Sequence, residues 1–387
     1  MTSTDRRTLG IGMVGHAFMG RAHSQAWRSV DAFFDLPWRP VPVVLAGRDI
    51  DRATVAAGRL GWASAVGEWK QLLDRDDVHL IDICTPGDSH AEIAIAALQA
   101  GKHVLCEKPL ANTVAEAESM AAAAEQAALR GVRSMVGFSY RRVPALALAR
   151  NLVAQGRIGT VRHVRALYLQ DWLADPDAPL SWRLDRRRAG SGALGDIGAH
   201  IIDATQFVTG ESLTGVSALL DTFVTERPLP DGVGSGQVTV DDAALFLGRL
   251  SGGGLASFEA TRVAAGRKNS LRLELNGTHG SLAFDLESMN ELWFHDHTED
   301  PETAGFRRIL VTEPQHPYTE AWWPPGHGLG YDHTFTNQVA DLVIAVAAGK
   351  DPSPSFADGL AVQRVLAAVE SSAADDGRWT AIAGGQP

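Results

Sequence analysis

Two short stretches combine residue types that can work on a hydroxyl group. CEKPL (106–110) puts Lys108 just past an apolar run, where an ammonium can stabilise negative charge developing on a ligand oxygen. GDIGAHIID (195–203) spaces Asp196 and His200 four residues apart, so on a helix both project from one face. An imidazole there can take or return a proton near neutral pH, with the carboxylate orienting it and stabilising its charged form. The preceding AGSGALGD (189–196) lets backbone approach a ligand closely. Read blandly, these are a surface lysine, a helix-capping aspartate and a satisfied core histidine. Spacing alone does not choose.

A third stretch suits an anion. GHAFMG (15–20) fills the slots of GxGxxG with Ala17 in place of the middle glycine, the one that admits a pyrophosphate most closely. It follows the apolar run LGIGMVG (9–15) and opens a helix, whose free N–H groups and dipole favour negative charge. The next strand, VPVVLAG (41–47), ends in Gly47-Arg48-Asp49, where an acidic residue would hold an adenosine ribose. With Gly47 in that slot, Arg48 can pair with a 2′-phosphate and the cofactor is NADP. With Asp49 reaching back to the ribose hydroxyls it is NAD. Read blandly, Arg48 is a solvated turn residue.

The elements that must position these residues can be traced along the chain. After the first two runs come VHLIDICTP (78–86), a helix over 90–101 stopped by Gly101, HVLCEKPL (103–110), a helix over 113–130 and VRSMVGFSY (132–140). Strands alternating with helices predict a parallel, doubly wound sheet over residues 1–138. From residue 139 to 387 the texture differs. Helical stretches at 144–156 and 198–210 accompany strands at 161–172, 215–226, 242–250, 254–262, 270–277 and 291–295, with hairpin signals at SGGG (251–254) and NGTHG (276–280). The expected architecture is an α/β Rossmann domain followed by an α+β domain with an open, mostly antiparallel sheet. Helices at 333–349 and 360–370 close the chain and are expected to pack back on the first domain.

Composition narrows the function classes. The 387 residues carry a formal charge of −11, with 45% hydrophobic and 21% charged residues, a folded and acidic profile. Such a surface repels phosphate backbones, which argues against nucleic acid and anionic membranes. No apolar run reaches a membrane span, and the polar start MTSTDRRTLG holds no secretory core, so a cytoplasmic location is expected. Cys84 and Cys106, the two cysteines, end two strands and read as inert fillers. No metal site is expected, because His295, His297, His316, His327 and His333 lack a matching carboxylate or cysteine pattern.

Taken together, GHAFMGRAH (15–23), CTPGDSHAEIAIAALQAGKHVLCEKPLA (84–111), GFSYRR (137–142), SWRLDRRRAGSGALGDIGAH (181–200), EATR (259–262) and GTHGSL (277–282) resemble the Gfo/Idh/MocA oxidoreductases. The combination of EKP with a later DxGxH is the specific part. Within the family, LYLQDWLADPDAPLSWRL (167–184) and the long first crossover most resemble levoglucosan-type sugar dehydrogenases. The resemblance implies hydride transfer between NAD or NADP and a hydroxyl-bearing carbon of a sugar or cyclic polyol. Lys108 would hydrogen-bond the reacting oxygen, His200 would exchange its proton, and Asp196 would help position substrate and base. Gly15, His16, Ala17, Phe18, Met19, Gly20, Gly47, Arg48 and Asp49 would hold the dinucleotide. Thr85, Pro86, His90 and Glu107 would line the nicotinamide side. Trp182 and Arg183 would reach cofactor or substrate, and Tyr140, Arg141, Gln170, Trp172 and His333 are candidates for the sugar pocket. The open sheet implies a homo-oligomer, a dimer or tetramer.

The resemblance also leaves alternatives. Some relatives oxidise a sugar transiently, eliminate an aglycone and recycle the bound cofactor, so an NAD-dependent glycosidase is the competing reading. A non-catalytic nucleotide-dependent sensor is a third. DRRRAG (185–190), with Arg186, Arg187 and Arg188, is either a solvated basic run or a cue for an anionic sugar.

Overall fold

The structure is a computed structural model that describes residues 6–384; the first five residues of the polar start and the last three of the chain lie outside it. It divides into two units. Among the described residues, the first contains those up to 142 together with 330–360, and the second 143–329 and those from 361 onward.

The first unit alternates strand and helix as its apolar runs predict. β1 (Thr8–Val14), α1 (Phe18–Phe33), β2 (Arg39–Ala46), α2 (Ile50–Leu60), β3 (Ser64–Val66), β4 (Leu80–Ile83), α3 (His90–Gln99), β5 (His103–Cys106), α4 (Val114–Ala128) and β6 (Ser134–Val136) follow one another. The six strands are parallel in the order β3-β2-β1-β4-β5-β6, the doubly wound arrangement whose ligands sit at the carboxyl ends of the strands. β4 is buried along its whole length, as a central parallel strand should be, yet it carries Asp82. α1 turns Gly20, His23, Ser24, Trp27 and Val30 inward at helical spacing. α2 starts on an Asp49 cap and stops at Gly61, and α4 starts on a capping box of Thr113 and Glu116. β3 is the strand that no apolar run announces: it is three residues long and only half-buried.

In the second unit α5 (Pro144–Ala154), β7 (Val161–Leu169), α6 (Arg186–Ala189), α7 (Ala199–Thr209) and β8 (Leu213–Asp221) precede a small hairpin of β9 (Glu226–Pro228) and β10 (Ser235–Gln237). Then come β11 (Ala243–Leu250), β12 (Leu255–Thr261), β13 (Ser270–Gly277), β14 (Gly280–Asp285), β15 (Glu291–Asp296) and β16 (Arg307–Leu310). α8 (Tyr331–Ala347) belongs to the first unit, α9 (Phe356–Ala374) leads back into the second, and β17 (Thr380–Ala381) ends the chain's regular structure. The large sheet has nine strands in the order β16-β15-β14-β13-β7-β12-β11-β8-β17. Its pairs are antiparallel except β7 with β12, which run parallel. α7 lies against β7 and β13 on one face. The alternation of β11 turns Phe246 and Leu250 inward and Leu245 and Leu247 outward, where Leu219 and Leu255 are also exposed.

Candidate active site

The dinucleotide loop is built around two glycines. Gly15 has φ +98°, and a Cβ there would lie 2.8 Å from the Cys84 carbonyl oxygen. A Cβ on Gly20 would lie 2.3 Å from the Gly15 carbonyl oxygen, so only glycine lets α1 start this close to the turn. Ala17 needs no such freedom: its φ is −75° and its methyl is exposed. Ala17 is also the N-cap of α1 and offers no side-chain acceptor, which leaves the first-turn N–H groups and the helix dipole to an anion. His16, Phe18 and Met19 complete the loop, with Phe18 exposed and Met19 set against the core. This cradle fits a dinucleotide pyrophosphate.

At the tip of β2, a Cβ on Gly47 would fall 2.9 Å from the His16 ring. Arg48 is exposed. Asp49 accepts the Arg52 N–H at 3.1 Å as the cap of α2 and pairs with the Arg52 guanidinium at 3.2 Å. Beside it, His16, Arg21, Arg52 and Arg59 line an open groove of about 390 Å³ with Asp51.

The turns after β4 and β5 are laced together. The His90 ring spans two carbonyl oxygens, Thr85 at 2.9 Å and Pro109 at 3.0 Å. The Ser89 hydroxyl donates to Thr85 Oγ1 at 2.7 Å, and Pro86 precedes the short turn that carries Ser89. A Cβ on Gly87 would meet Asn112 Oδ1 at 2.3 Å. Lys108 follows β5, half-buried, and its peptide bond to Pro109 is cis. Glu107 is buried beneath, its Oε1 2.9 Å from His23 Nε2 and its Oε2 accepting the Lys108 main-chain N–H at 3.2 Å.

The remaining first-unit candidates are held by structure. Tyr140 is buried with its ring 6.3 Å from that of Tyr331. Arg141 bonds to Ser353 Oγ and pairs with Asp358 at 3.3 Å. His333 Nδ1 accepts the Gly330 N–H at the start of α8.

Asp196 and His200 lie in the second unit, on a helix that differs from the regular one their spacing suggests. Residues Leu194–Gly198 form a π-helical turn that runs into α7. Such turns insert a residue into the helix and recur at functional sites. Asp241 holds the loop before it, accepting the N–H groups of Gly192 at 2.7 Å and Leu194 at 2.8 Å. Burial raises the Asp241 pKa, opposed by those two N–H groups and by Arg262. A Cβ on Gly192 would sit 1.8 Å from the Asp241 carbonyl oxygen, which explains the glycine. Arg262, fully buried, reaches Asp196 at 3.5 Å and donates to the Asp241 carbonyl at 3.2 Å.

His200, buried in the first turn of α7, meets the Tyr168 ring edge-on at 5.9 Å. The Tyr168 hydroxyl donates to Asn269 Oδ1 at 2.6 Å, Gln170 Nε2 donates to the same oxygen at 2.8 Å, and Trp172 Nε1 donates to Gln170 Oε1 at 3.0 Å. The Arg262 guanidinium lies 5.5 Å from the Trp172 ring centre and so joins this ladder to Asp196. Sequence reasoning names Gln170, Trp172, Asp196 and His200 but misses Tyr168, Asn269, Asp241 and Arg262. EATR marks Arg262 only as a matching segment.

Trp182 and Arg183 stack on each other at 4.5 Å. Arg186 and Arg187 are paired with Glu370 and Asp185. Among the described residues, one set of candidate metal-ligating atoms lies within 4.8 Å: His23, Asp82 and Cys84. Its members are joined by hydrogen bonds. Both cysteines are free and buried, and burial pushes their thiol pKa values up.

Residues 9–138 match the oxidoreductase family with an NAD-binding Rossmann fold, and residues 146–283 match the GFO/IDH/MocA C-terminal domain. The chain belongs to this family and is a nicotinamide-dinucleotide oxidoreductase. It is 42% identical over 384 residues to levoglucosan dehydrogenase of Pseudarthrobacter phenanthrenivorans, spanning 96% of this chain and 97% of that one. A solved oxidoreductase domain protein from Kribbella flavida is 69% identical, with TM-score 0.95 and coverage of 97% and 99%. Levoglucosan dehydrogenase in complex with NADH and levoglucosan superposes with TM-score 0.93 over 97% of this chain and all of the other. No helix of the described residues is long and apolar enough to cross a membrane.

Proposed function

We propose that this chain is an NAD-dependent dehydrogenase that oxidises a secondary hydroxyl of a neutral sugar, anhydrosugar or cyclic polyol to the ketone. The observation that carries the reading is the ladder of Tyr168, Asn269, Gln170 and Trp172 beside His200. It offers an indole face and oriented amides, the surface that a ring with an apolar face and a rim of hydroxyls requires. The levoglucosan complex of a relative 42% identical supports the substrate class. The pairing of Arg186 and Arg187 with carboxylates favours a neutral sugar over an anionic one.

In the proposed reaction the Lys108 ammonium donates a hydrogen bond to the reacting oxygen and stabilises its developing charge. His200 takes the hydroxyl proton as the carbonyl forms, and Asp196, braced by Arg262, holds the geometry. A bound nicotinamide would supply the acceptor for the hydride that leaves the hydroxyl-bearing carbon. The NADH complexes of the relative favour NAD. Arg48 and the groove of Arg21, Arg52 and Arg59 favour a 2′-phosphate and hence NADP. Titration with all four nicotinamide forms decides between them. We place the enzyme in the cytoplasm as a dimer or tetramer, with the exposed Leu219, Leu245, Leu247 and Leu255 supporting burial against another copy; a monomer in light scattering overturns that part.

The test is NADH formation with a panel of sugars and polyols. Accumulation of NADH supports the dehydrogenase, and aglycone release without it indicates the redox-cycling glycosidase. Lys108→Ala lowers kcat by roughly a hundredfold or more while NADH still binds. Undiminished turnover in that variant removes Lys108 from the mechanism.

A further inference from the structure

A sealed chain of hydrogen bonds lies beneath Lys108, and the reaction as described makes no use of it. Asp82 is the one charged residue of β4 and is fully buried. It accepts Trp27 Nε1 at 2.7 Å and the Cys84 thiol at 3.6 Å, and both its oxygens lie 2.9 Å from His23 Nδ1. The opposite ring nitrogen of His23, itself 1% exposed, lies 2.9 Å from Glu107 Oε1. Glu107 Oε2 accepts the Lys108 main-chain N–H. An imidazole with carboxylate oxygens at both nitrogens is best served by two N–H groups and a positive charge. Burial is the largest single influence and opposes that charge, but the attractions of Asp82 and Cys84 together outweigh it and hold the His23 pKa well above the ordinary histidine value.

Cohesion alone does not call for this arrangement. Each buried ion costs several kcal/mol in desolvation, and apolar side chains of similar volume would hold the layer about as well. What the ionic chain adds is direction. His23 sits one turn beyond Gly20 on the helix that opens at the dinucleotide loop, and Glu107 immediately precedes Lys108. Room has been left for it: a Cβ on Gly137 would lie 2.8 Å from Glu107 Oε1 and 3.2 Å from its Cδ.

We infer that His23 is a positioning residue, whose imidazole clamps Glu107 so that Glu107 fixes the main chain of Lys108 relative to α1 and the dinucleotide loop. The inference rests on the proposed role of Lys108 at the reacting oxygen.

Two substitutions separate the halves of the clamp. In His23→Gln the amide nitrogen stands near Nε2 and can still donate to Glu107. In His23→Asn it stands near Nδ1 and reaches only Asp82. His23→Gln is expected to keep kcat within about threefold, while His23→Asn loses about a hundredfold at nearly constant KM for the sugar, the scale of a 1 Å misplacement. Gly137→Ala displaces the same carboxylate without replacing any charged residue of the cluster, and is expected to lower kcat in the same way. Amide hydrogen exchange of the segment around Lys108 gives a readout that needs no substrate: faster in His23→Asn and Gly137→Ala, unchanged in His23→Gln. If the two His23 variants lose activity together in step with their melting temperatures, the clamp is only structural and the proposal fails. Unaltered exchange at Lys108 in His23→Asn overturns it as well. Wild-type protein inactive on every sugar refutes the dehydrogenase reading instead, and the exchange comparison still decides the clamp.

Discussion

Arg262 does three things from a fully buried position: it faces Asp196, donates to the Asp241 carbonyl and lies over Trp172. Replacing it with methionine keeps the volume but leaves the Asp196 and Asp241 carboxylates without their cation. We expect Arg262→Met to lose about 3–5 kcal/mol of stability, the usual consequence of breaking a buried pair by removing one partner. Turnover is expected to fall at least about tenfold, because Asp196 no longer holds one orientation, with NADH affinity unchanged. Denaturant titration and fluorescence titration with NADH check the two halves, and wild-type kcat in the folded variant would dismiss Asp196 bracing. Lys108, Asp196 and His200 stand out in sequence as candidates because each lies in a short motif with neighbours of matching chemistry. Arg262, Asp241, Tyr168 and Asn269 are not, because their partners lie dozens of residues away and only the sheet brings them together. Asp82 is an intermediate case: a charge inside an apolar run signals a buried partner but does not say that the partner is His23.

Two histidines at the amino ends of adjacent strands serve the backbone. His79 Nδ1 accepts the Gly10 N–H at 2.8 Å just before β4, and His103 Nδ1 accepts the Arg133 N–H at 2.9 Å at the start of β5. A proton on His103 Nδ1 would oppose that donor. Burial first, and then the nearby Arg133, His79 and Arg7, lower the His103 pKa to about 4. An unfolded histidine titrates near about 6.5, so between these values the unfolded chain binds the extra proton. Stability from His103 is therefore complete above about pH 6.5 and is lost as pH falls toward 4, in total about 3 kcal/mol. His103→Asn, whose Oδ1 stands near Nδ1, keeps the acceptor without titrating. Urea denaturation at pH 7 and pH 4.5 should show a drop smaller by about 2–3 kcal/mol in the variant; equal drops would rule out His103 as the source. Elements of this kind follow from sequence only in part. Most long strands of both sheets are legible because one or both faces are apolar; β14 is not among those the sequence predicts, because its opening Gly280-Ser281 reads as part of the NGTHG turn. β3 and β16 are not, being short and only partly buried, and the π turn at 194–198 has no pattern of its own, since Gly195 and Gly198 suit any tight packing.

At the scale of the whole chain, the first unit is not one continuous segment. Residues 330–360 return to it, and α8 sets Phe335, Val339, Leu342, Val343 and Val346 into the core that also holds Trp27 and Val30 of α1. Polar contacts bind the same segment: Val136 N donates to the Pro354 carbonyl at 3.0 Å, Arg142 pairs with Asp341 at 3.1 Å, and Asn337 donates to the Arg142 carbonyl at 3.3 Å. The sequence predicts that helices at 333–349 and 360–370 pack back on the first domain, but periodicity shows only that a face must be covered and not which side chains cover it. Five side chains of this size, each giving about 1.5–3 kcal/mol when fully buried, contribute on the order of 10 kcal/mol as an upper figure. Net domain stability is about 5–15 kcal/mol, so losing that segment is enough to unfold the unit. A fragment of residues 1–142 should therefore show no cooperative thermal transition by circular dichroism. The same fragment joined through a flexible linker to residues 330–360 should melt cooperatively, because the added helix buries Trp27 and Val30 again and gives Arg142 its Asp341. A sharp transition in 1–142 alone would mean that its six strands and four helices already bury enough apolar surface, and that α8 only decorates a finished core.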